Sequence, residues 1–366
     1  IGIDKKNNKY ELSLLISNTS DSSSQGEVKE KTTVITGKGI NITEALNDAK
    51  SKSSKDLYTG HLSLILINEE IAKESIYDII DPIIHDPESI KKLDLVIIKG
   101  DTANEILKVL SPLDNFPSEN ISFNIKNSIE QIGISHNTHI SNFIYKIVNE
   151  GYDNILPSIS IAGSEKNNNS TDELKKIEIK QSLKIDDIAI FKKYKLVGYA
   201  NIEESKAINT ILNKGNLVTI TTKCYKDIDK YISIKLDNPK TKISYKIDKN
   251  NKVKYFFDIK SNGVITETNC TLDLSDTKVI EKISNYAKSY YYELLKKTIN
   301  KTKKLKTDIF GLGNLLYKKD NKYWKDNKKN WDDIYSKLDY KININFNLKT
   351  KGSFKTTLKD KDKGRR

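Results

Sequence analysis

The chain contains no methionine, and its only two arginines are Arg365 and Arg366 at the C-terminus. A chain without methionine is expected to begin downstream of its natural start, so we place any targeting segment before Ile1. Arginine is the usual residue for bidentate recognition of phosphates and bases. Because lysine supplies all other positive charge, the composition argues against specific nucleic-acid binding.

The sequence also lacks a run of eighteen apolar residues, which excludes a membrane-spanning helix. Its longest apolar runs, such as residues 62–67, have the length of a strand. Cysteine is scarce: Cys224 and Cys270 are too few for the disulfide framework of a small secreted domain. The two could pair only if their strands were adjacent, and we expect two separately buried free thiols.

Lysine and arginine exceed aspartate and glutamate by 13. A diffuse excess of lysine suits a solvated face near an anionic surface such as a lipid leaflet. Biased base composition in the genome is the simpler explanation, since Lys, Asn and Ile are all abundant. Charge alone is therefore weak evidence for a partner.

Apolar periodicity and capping residues predict an α+β fold with three consecutive α/β-type domains, in which helices pack on mixed or antiparallel sheets. Residues 1–111 form a mixed sheet with helices, 112–215 a middle α/β domain, and 216–350 an antiparallel sheet with one long helix. Residues 351–366 form a charged tail.

The long helix is predicted to begin after Asp276 as N-cap and to run to about residue 304. Its apolar stripe at helical spacing includes Ile283, Ala287, Tyr290 and Leu294. Three consecutive tyrosines, 290–292, point in three directions, so at least one of them lies outside the core. An exposed ring there is either contact area for a partner or a ring lying across the sheet edge.

A search for chemistry finds no catalytic grouping. His136 and His139 stand three residues apart and could share a metal, but no cysteine or carboxylate nearby completes a ligand set. The sequence 37–39, Gly-Lys-Gly, lacks the spacing of a phosphate-binding loop. Asp186 and Asp187 lack calcium-loop spacing and favour a turn at the entry of a strand. We therefore predict no metal site, no cofactor and no enzymatic activity.

The most specific pattern closes the chain, in the segment DIFGLGNLLYKKDNKYWKDNKKNWDDIYSKLDYKININ. With TGKGINITEALNDA, LYTGHLSLILINEEIAKE and LKIDDIAIFKKYKLVGYANIEES further upstream, it resembles the Ger(x)C family, the C subunits of spore germinant receptors. The resemblance covers essentially the whole chain, and the lysine- and asparagine-rich composition looks clostridial. Within the closing segment we single out Phe310, Gly311, Gly313, Trp324 and Trp331 as a candidate structural clamp or interface.

The resemblance implies a lipoprotein acylated at a cysteine upstream of Ile1 and displayed on the outer face of the spore inner membrane. It implies assembly with membrane-spanning A and B subunits that start germination in response to nutrients. The family has no known catalytic residues to transfer to this chain. The alternative is a free extracytoplasmic solute-binding protein that captures a small germinant, but three small domains without an arginine clamp fit it poorly.

Overall fold

The computed structural model describes residues 1–18, 31–54, 57, 62–84, 93–109, 117–127, 139–163, 181–215, 217–224 and 229–350. Contacts divide the chain into two compact units. Unit 1 comprises Ile1–Lys126 and His136–Tyr199, and unit 2 comprises Asn127–Ser135 and Ala200–Arg366.

Unit 1 is built on one eight-stranded sheet. Its strands are β1 (Gly2–Lys6), β2 (Lys9–Asn18), β3 (Lys31–Gly39), β4 (Leu64–Asn68), β5 (Asp94–Ile98), β6 (Asn154–Gly163), β7 (Gln181–Lys192) and β8 (Lys195–Ala200). Their order in the sheet is β3-β2-β1-β4-β5-β6-β7-β8. The central run β1, β4, β5 and β6 is parallel, while β2 and β3 on one side and β7 on the other are antiparallel to their neighbours.

The sequences of the central strands account for this arrangement. Strand β4 reads LILIN and β5 reads DLVII, and four of the five residues in each strand are buried. Continuous apolar strands of this kind need cover on both faces of a sheet, which is typical of parallel strands joined by helical crossovers. The chain between β4 and β5 accordingly contains two helices, residues Glu69–Glu74 and Tyr77–Ile84.

Before residue 150 the described part of the chain contains the helices α1 (Ile42–Ser51), α2 (Glu69–Glu74), α3 (Tyr77–Ile84), α4 (Ala103–Leu107), α5 (Pro117–Asn127) and α6 (Ile140–Val148). Local caps fix several of their starts. Asn41 accepts a hydrogen bond from the backbone of Glu44 at the start of α1, and Thr102 forms a reciprocal capping box with Glu105 at the start of α4.

Unit 2 contains a four-stranded sheet and five helices among its described residues. The elements are α7 (Ile202–Ile211), β9 (Leu217–Lys223), β10 (Tyr231–Ile247), β11 (Val253–Thr268), α8 (Thr277–Lys304), α9 (Leu312–Lys319), α10 (Asn321–Asn327), α11 (Trp331–Ser336) and β12 (Asp339–Thr350). The sheet order is β12-β11-β10-β9. Asp276 caps α8, and the helix ends at Lys304, both as predicted.

The predicted fold class is confirmed: both sheets carry helices and the first sheet is mixed. The third predicted segment is not purely antiparallel, however, because β12 pairs with β11 in parallel register. The 28 residues of α8 carry the chain back along the sheet, so the next strand enters in the same direction as β11. The predicted boundary at residue 111 also differs from the observed grouping, because strands on both sides of it share one sheet.

The expectation of two free thiols is wrong. Cys224 and Cys270 form a disulfide with their Cα atoms 6.2 Å apart. The strand registers explain the pairing, because Tyr231 lies opposite Lys223 on β9 while its neighbour Ile232 lies opposite Thr268 on β11. The residues that follow β9 and β11 therefore meet at the same end of β10.

Candidate functional site

The closing segment of the sequence folds into one buried cluster, which we name the tryptophan cluster: Asp308, Phe310, Gly311, Gly313, Trp324 and Trp331. All six side chains or backbone positions are buried. Gly311 is the N-cap of α9 and has φ = 70°, a left-handed conformation that favours glycine. The structure thus brings together all five residues that the sequence singled out.

Asp308 is the polar centre of this cluster. Its Oδ1 accepts a hydrogen bond from the backbone N–H of Leu312 at 2.9 Å, and its Oδ2 accepts one from the N–H of Gly313 at 2.7 Å. The indole Nε1–H of Trp331 donates to the same Oδ2 at 3.0 Å. A buried carboxylate with three donors closes the start of α9 and fixes a side chain 23 residues further along the chain.

Gly313 sets the distance between the two tryptophans and the backbone of α9. A Cβ at this position would lie 2.7 Å from the Trp324 ring and 2.9 Å from Nε1 of Trp331, too close for any side chain. The two indoles contact edge to face, with centroids 5.4 Å apart. Phe310 packs on Phe257 of β11, so the cluster also attaches α9–α11 to the sheet. With the rings almost fully buried, the cluster favours a structural role over a surface contact.

The long helix α8 is the second candidate, because it presents aromatic rings to solvent. The predicted apolar stripe is wrong at Tyr290: the buried ring is Tyr291, whose hydroxyl lies 2.6 Å from that of Thr210 and whose ring packs on Phe346. Tyr290 and Tyr292 are each 37% exposed, and Tyr286 is 38% exposed. Exposed tyrosines are typical of protein interfaces because they combine a large apolar ring with a polar tip.

The sheet of unit 2 presents a polar side, which we name the open face. Along β10 and β11 buried and exposed residues alternate, apart from the register shift between Asp237 and Lys240, so one set of side chains points to the open face. Nine lysines and four carboxylates occupy it, a net charge of +5: Lys223, Lys235, Lys240, Lys242, Lys246, Lys254, Lys260, Lys341 and Lys349, with Asp237, Asp258, Glu267 and Asp339.

Two pairs of lysines lie directly opposite each other across β10 and β11 on the open face. They are Lys240 with Lys260 and Lys246 with Lys254. Like charges directly opposite each other destabilise a sheet. Lys254 is partly compensated by an ion pair with Asp339 at 2.8 Å. The net excess of cations on the open face suits an anionic partner.

A basic cleft in unit 2 forms the third candidate and was not predicted. It has a volume of about 900 Å³ and lies between the start of α7, the last turns of α8 and the end of α11. Its lining is Asn201, Glu204, Lys297, Asn300, Lys301, Lys303, Lys304 and Ser336. Only the capping pattern of Asn201 and Glu204 was readable from the sequence; the contact with α8 spans about a hundred residues.

Glu204 is the one carboxylate among the described residues that line the basic cleft, and it is buried. Lys301 donates to it at 2.6 Å, the backbone N–H of Asn201 at 3.0 Å, and Lys297 lies 3.5 Å away. Burial alone would raise the pKa of Glu204, but the hydrogen bonds from Lys301 and Asn201 and the nearby lysine charges lower it below its usual value. Glu204 is therefore charged at neutral pH and holds two ammonium groups in place.

In unit 1 the polar groups collect where the parallel strands end. Asp4, at 8% exposure, accepts two hydrogen bonds from the N–H of Ala103 and one from Asn68. Burial raises the pKa of Asp4 although these donors oppose the shift. Carboxyl ends of parallel strands often bind ligands, but here the donors and acceptors satisfy one another, which favours a structural network.

Next to this network, Glu69 accepts hydrogen bonds from the N–H of Gly100 and from the hydroxyl of Tyr199. Lys99 pairs with Asp187 at 2.6 Å and lies over the Tyr199 ring at 4.9 Å. Burial, followed by the Glu69 charge, raises the pKa of Tyr199 well above its usual range, so its hydroxyl stays protonated. The predicted turn at Asp186 and Asp187 lies inside β7 instead.

His139 pairs with Asp94, with Nδ1 and Oδ1 2.7 Å apart, while His136 lies outside the described residues. Within the described ranges, no three His, Cys, Asp or Glu side chains are grouped as metal ligands. In the same part of the chain, no helix is long and apolar enough to span a bilayer.

Comparison with known proteins identifies both halves of the chain. Residues 1–161 match the family model described as the spore germination protein N-terminal domain, and residues 186–352 match the one described as spore germination B3/GerAC like, C-terminal. Spore germination protein KC of Bacillus subtilis is 27% identical over 81% of this chain and 73% of its own length. Spore germination protein B3 of the same organism is 24% identical over 95% and 89%.

The crystal structure of the GerBC protein superposes with a TM-score of 0.61, at 20% identity, over 94% of this chain and 96% of that one. At this identity the superposition shows a shared fold. The two family models match in this order and together span most of the chain. The chain belongs to the Ger(x)C family of spore germination proteins, the GerAC-like subunits of germinant receptors.

Proposed function

We propose that this chain is the non-enzymatic C subunit of a nutrient-germinant receptor, which assembles with membrane-spanning A and B subunits to trigger germination. The observation that carries the proposal is the consecutive match to both domains of the spore germination family, from residue 1 to residue 352. A clostridial source remains a prediction from composition.

The proposed location is the outer face of the spore inner membrane, with a lipid anchor on a cysteine upstream of Ile1. The disulfide between Cys224 and Cys270 supports this, because disulfides persist in oxidising compartments and are rare in the cytosol. A single acyl chain gives only marginal membrane attachment, so a second contribution is required. The open face, with a net charge of +5, is suited to supply it against anionic headgroups.

For the contact with the A and B subunits, the exposed rings Tyr286, Tyr290 and Tyr292 on α8 are the best candidates. The tryptophan cluster would act as a clamp that keeps α9–α11 on the sheet. Its burial makes it a support for an interface and leaves no ring area for direct contact.

The membrane role of the open face can be tested with vesicles. Changing Lys240 and Lys260 to Gln removes one of the opposed lysine pairs, and each lysine near an anionic surface is worth about 1 kcal/mol. We expect binding to phosphatidylglycerol vesicles to fall roughly thirtyfold at low salt. The control changes Lys278 and Lys282, exposed lysines on α8, to Gln. Equal losses in both variants would contradict a role for this face.

The receptor role is tested in spores. A strain without the gene should lose its response to the nutrients of this receptor, and the full-length chain should restore it only with its upstream cysteine intact. Normal germination of the deletion strain, with no homologous gene to compensate, would refute the proposal. Calorimetry of the isolated chain with a panel of amino acids addresses the alternative, because micromolar binding would favour a solute-binding protein.

A further inference from the structure

The basic cleft combines positive charge with hydrogen-bond donors in a way that the receptor assignment does not use. Four lysines line it against the single carboxylate of Glu204, a net charge of +3. Glu204 is already neutralised by Lys301 and Lys297. A ligand that enters the cleft therefore meets cations and no exposed carboxylate among the described lining residues.

Two asparagines add neutral donors from separate segments. The side-chain oxygen of Asn201 accepts a hydrogen bond from the N–H of Glu204 at 2.9 Å, and the oxygen of Asn300 accepts one from the hydroxyl of Tyr340 at 2.9 Å. With their oxygens engaged, the Nδ2–H₂ groups are the ends of both amides that are suited to a ligand. Both ends donate, so the cleft favours a ligand that carries several acceptor oxygens.

Glu204 also prepares the cleft for binding. A buried, hydrogen-bonded carboxylate fixes Lys301 and steers Lys297, and this lowers the entropy lost when a ligand orders long side chains. Lys303 is held in a similar way by the carbonyl oxygen of Leu338 at 2.5 Å. Lys304 is exposed on the last turn of α8.

The helix dipole explains only part of this arrangement. Cations in the last turn of a helix compensate its negative end, which accounts for Lys301, Lys303 and Lys304. It does not account for Lys297, more than a turn earlier, or for amide donors on two different elements that line the same cleft. Lysine is an established point-charge partner of phosphate.

We propose that the basic cleft binds a phosphate group, with Lys297, Lys304 and the amide of Asn300 as its ligands. The group comes either from a free phosphate compound or from a phospholipid headgroup. This inference goes beyond the receptor role, because it concerns unit 2 alone and holds whether or not the A and B subunits are its partners.

The test titrates inorganic phosphate into the full chain at low, constant ionic strength, with chloride as the reference anion, and follows binding by calorimetry. Changing Lys297 and Lys304 to Gln should weaken phosphate binding roughly tenfold or more, because hydrogen bonds from charged donors are stronger than those from neutral amides. The control again changes Lys278 and Lys282 to Gln, which lie more than about 20 Å away along α8. It should bind within twofold of the parent chain.

A third variant, Asn300→Asp, separates binding from folding. It keeps the oxygen that accepts from Tyr340 and exchanges the donating NH₂ for an acceptor, while the nearby lysines stabilise the new charge. We expect a folded protein with phosphate binding reduced at least tenfold. Equal weakening in the cleft and control variants, unaltered binding in Asn300→Asp, or no phosphate binding by the parent chain would each overturn the proposal.

The source of the group is decided by a second arm. Phosphatidylglycerol and phosphatidylcholine vesicles are compared, with the positive charge of the open face reduced by Lys240→Gln and Lys260→Gln in all samples. Residual binding that is lost in Asn300→Asp would assign a headgroup. Phosphate binding without such vesicle dependence would assign a free compound, and both results support the shared chemistry.

Discussion

Replacing Asp308 by Asn should unfold or severely weaken unit 2, although the two side chains have the same shape. The Asp308 Oδ2 accepts from both the N–H of Gly313 and the indole of Trp331. In one orientation of the Asn amide its NH₂ would take the place of Oδ2 and face these two donors. In the other orientation the NH₂ would take the place of Oδ1 and face the backbone N–H of Leu312, which is also a donor. At least one buried donor is therefore left without an acceptor in either orientation.

The expected magnitude follows from these contacts. Each buried donor left unpaired costs about 1–3 kcal/mol, and replacing a charged acceptor weakens the bonds that remain. We expect a loss of roughly 3–5 kcal/mol, a large part of the total stability of about 5–15 kcal/mol that is usual for a domain. With a urea m-value of about 2 kcal/mol/M, the midpoint should fall by roughly 2 M.

Tryptophan fluorescence is the appropriate assay, because the only two tryptophans of the chain, Trp324 and Trp331, both belong to the cluster. Their emission reports the unfolding of unit 2 without a contribution from unit 1. The matched control is Asp333→Asn, which removes an exposed ion pair with Lys306 that solvent screens, so the unfolding midpoint should hardly change. If the urea midpoint of Asp308→Asn lies within about 0.5 M of the parent midpoint, the assignment of Asp308 as the centre of the cluster is wrong.

Three further variants test other contacts. Gly313→Ala places a Cβ 2.7 Å from Trp324 and should cost about 1–3 kcal/mol through overpacking, measured in the same urea titration. Removing the disulfide between Cys224 and Cys270, whose sequence separation is 46, should cost about 4 kcal/mol by loop entropy, and equal midpoints with and without reductant would contradict it. Glu204→Gln should destabilise unit 2 by about 1.5–3 kcal/mol at neutral pH, because the hydrogen bonds from Lys301 and Asn201 lose their charged acceptor. The pKa of Glu204 in the folded state is lowered below its usual value of 4.5. Its contribution to stability is therefore fully present above pH 4.5 and is lost as the pH falls through the lowered folded-state pKa, so the difference in stability between variant and parent should shrink in acid.

The sequence predicted those features that depend on local pattern. Alternating apolar residues located the strands, and Asp276 marked the start of α8 because an N-cap acts within one turn. The apolar run at residues 62–67 was predicted to have the length of a strand, and β4 lies there. The tryptophan cluster was also found, although through family resemblance, since hydrogen bonds between residues 308 and 331 leave no local signal.

The features that the sequence analysis predicted wrongly or missed all depend on contacts between elements that are distant in the sequence. Tyr290 and Tyr291 both fit helical spacing after Ala287, and only the positions of Thr210 and Phe346 decide that Tyr291 is buried. The disulfide required two strand registers at once, and a shift of one residue in either would separate the sulfurs. The basic cleft required the start of α7 to meet the end of α8.

Helix α8 shows why the most specific part of the sequence is not the most informative about partners. Every position of the tryptophan cluster is constrained by burial, so its spacing identifies the fold of the last segment. The surfaces open to a partner are instead made of lysine and tyrosine, whose positions tolerate substitution as long as charge and ring area persist. On α8 one face holds Tyr291 in the core, Tyr290 and Tyr292 are exposed on either side of it, and the last turns supply the lysines of the basic cleft. Because a helix has 3.6 residues per turn, these side chains point in different directions. The exposed tyrosines and the cleft lysines can therefore be changed separately, and each proposed contact can be tested in the same folded chain.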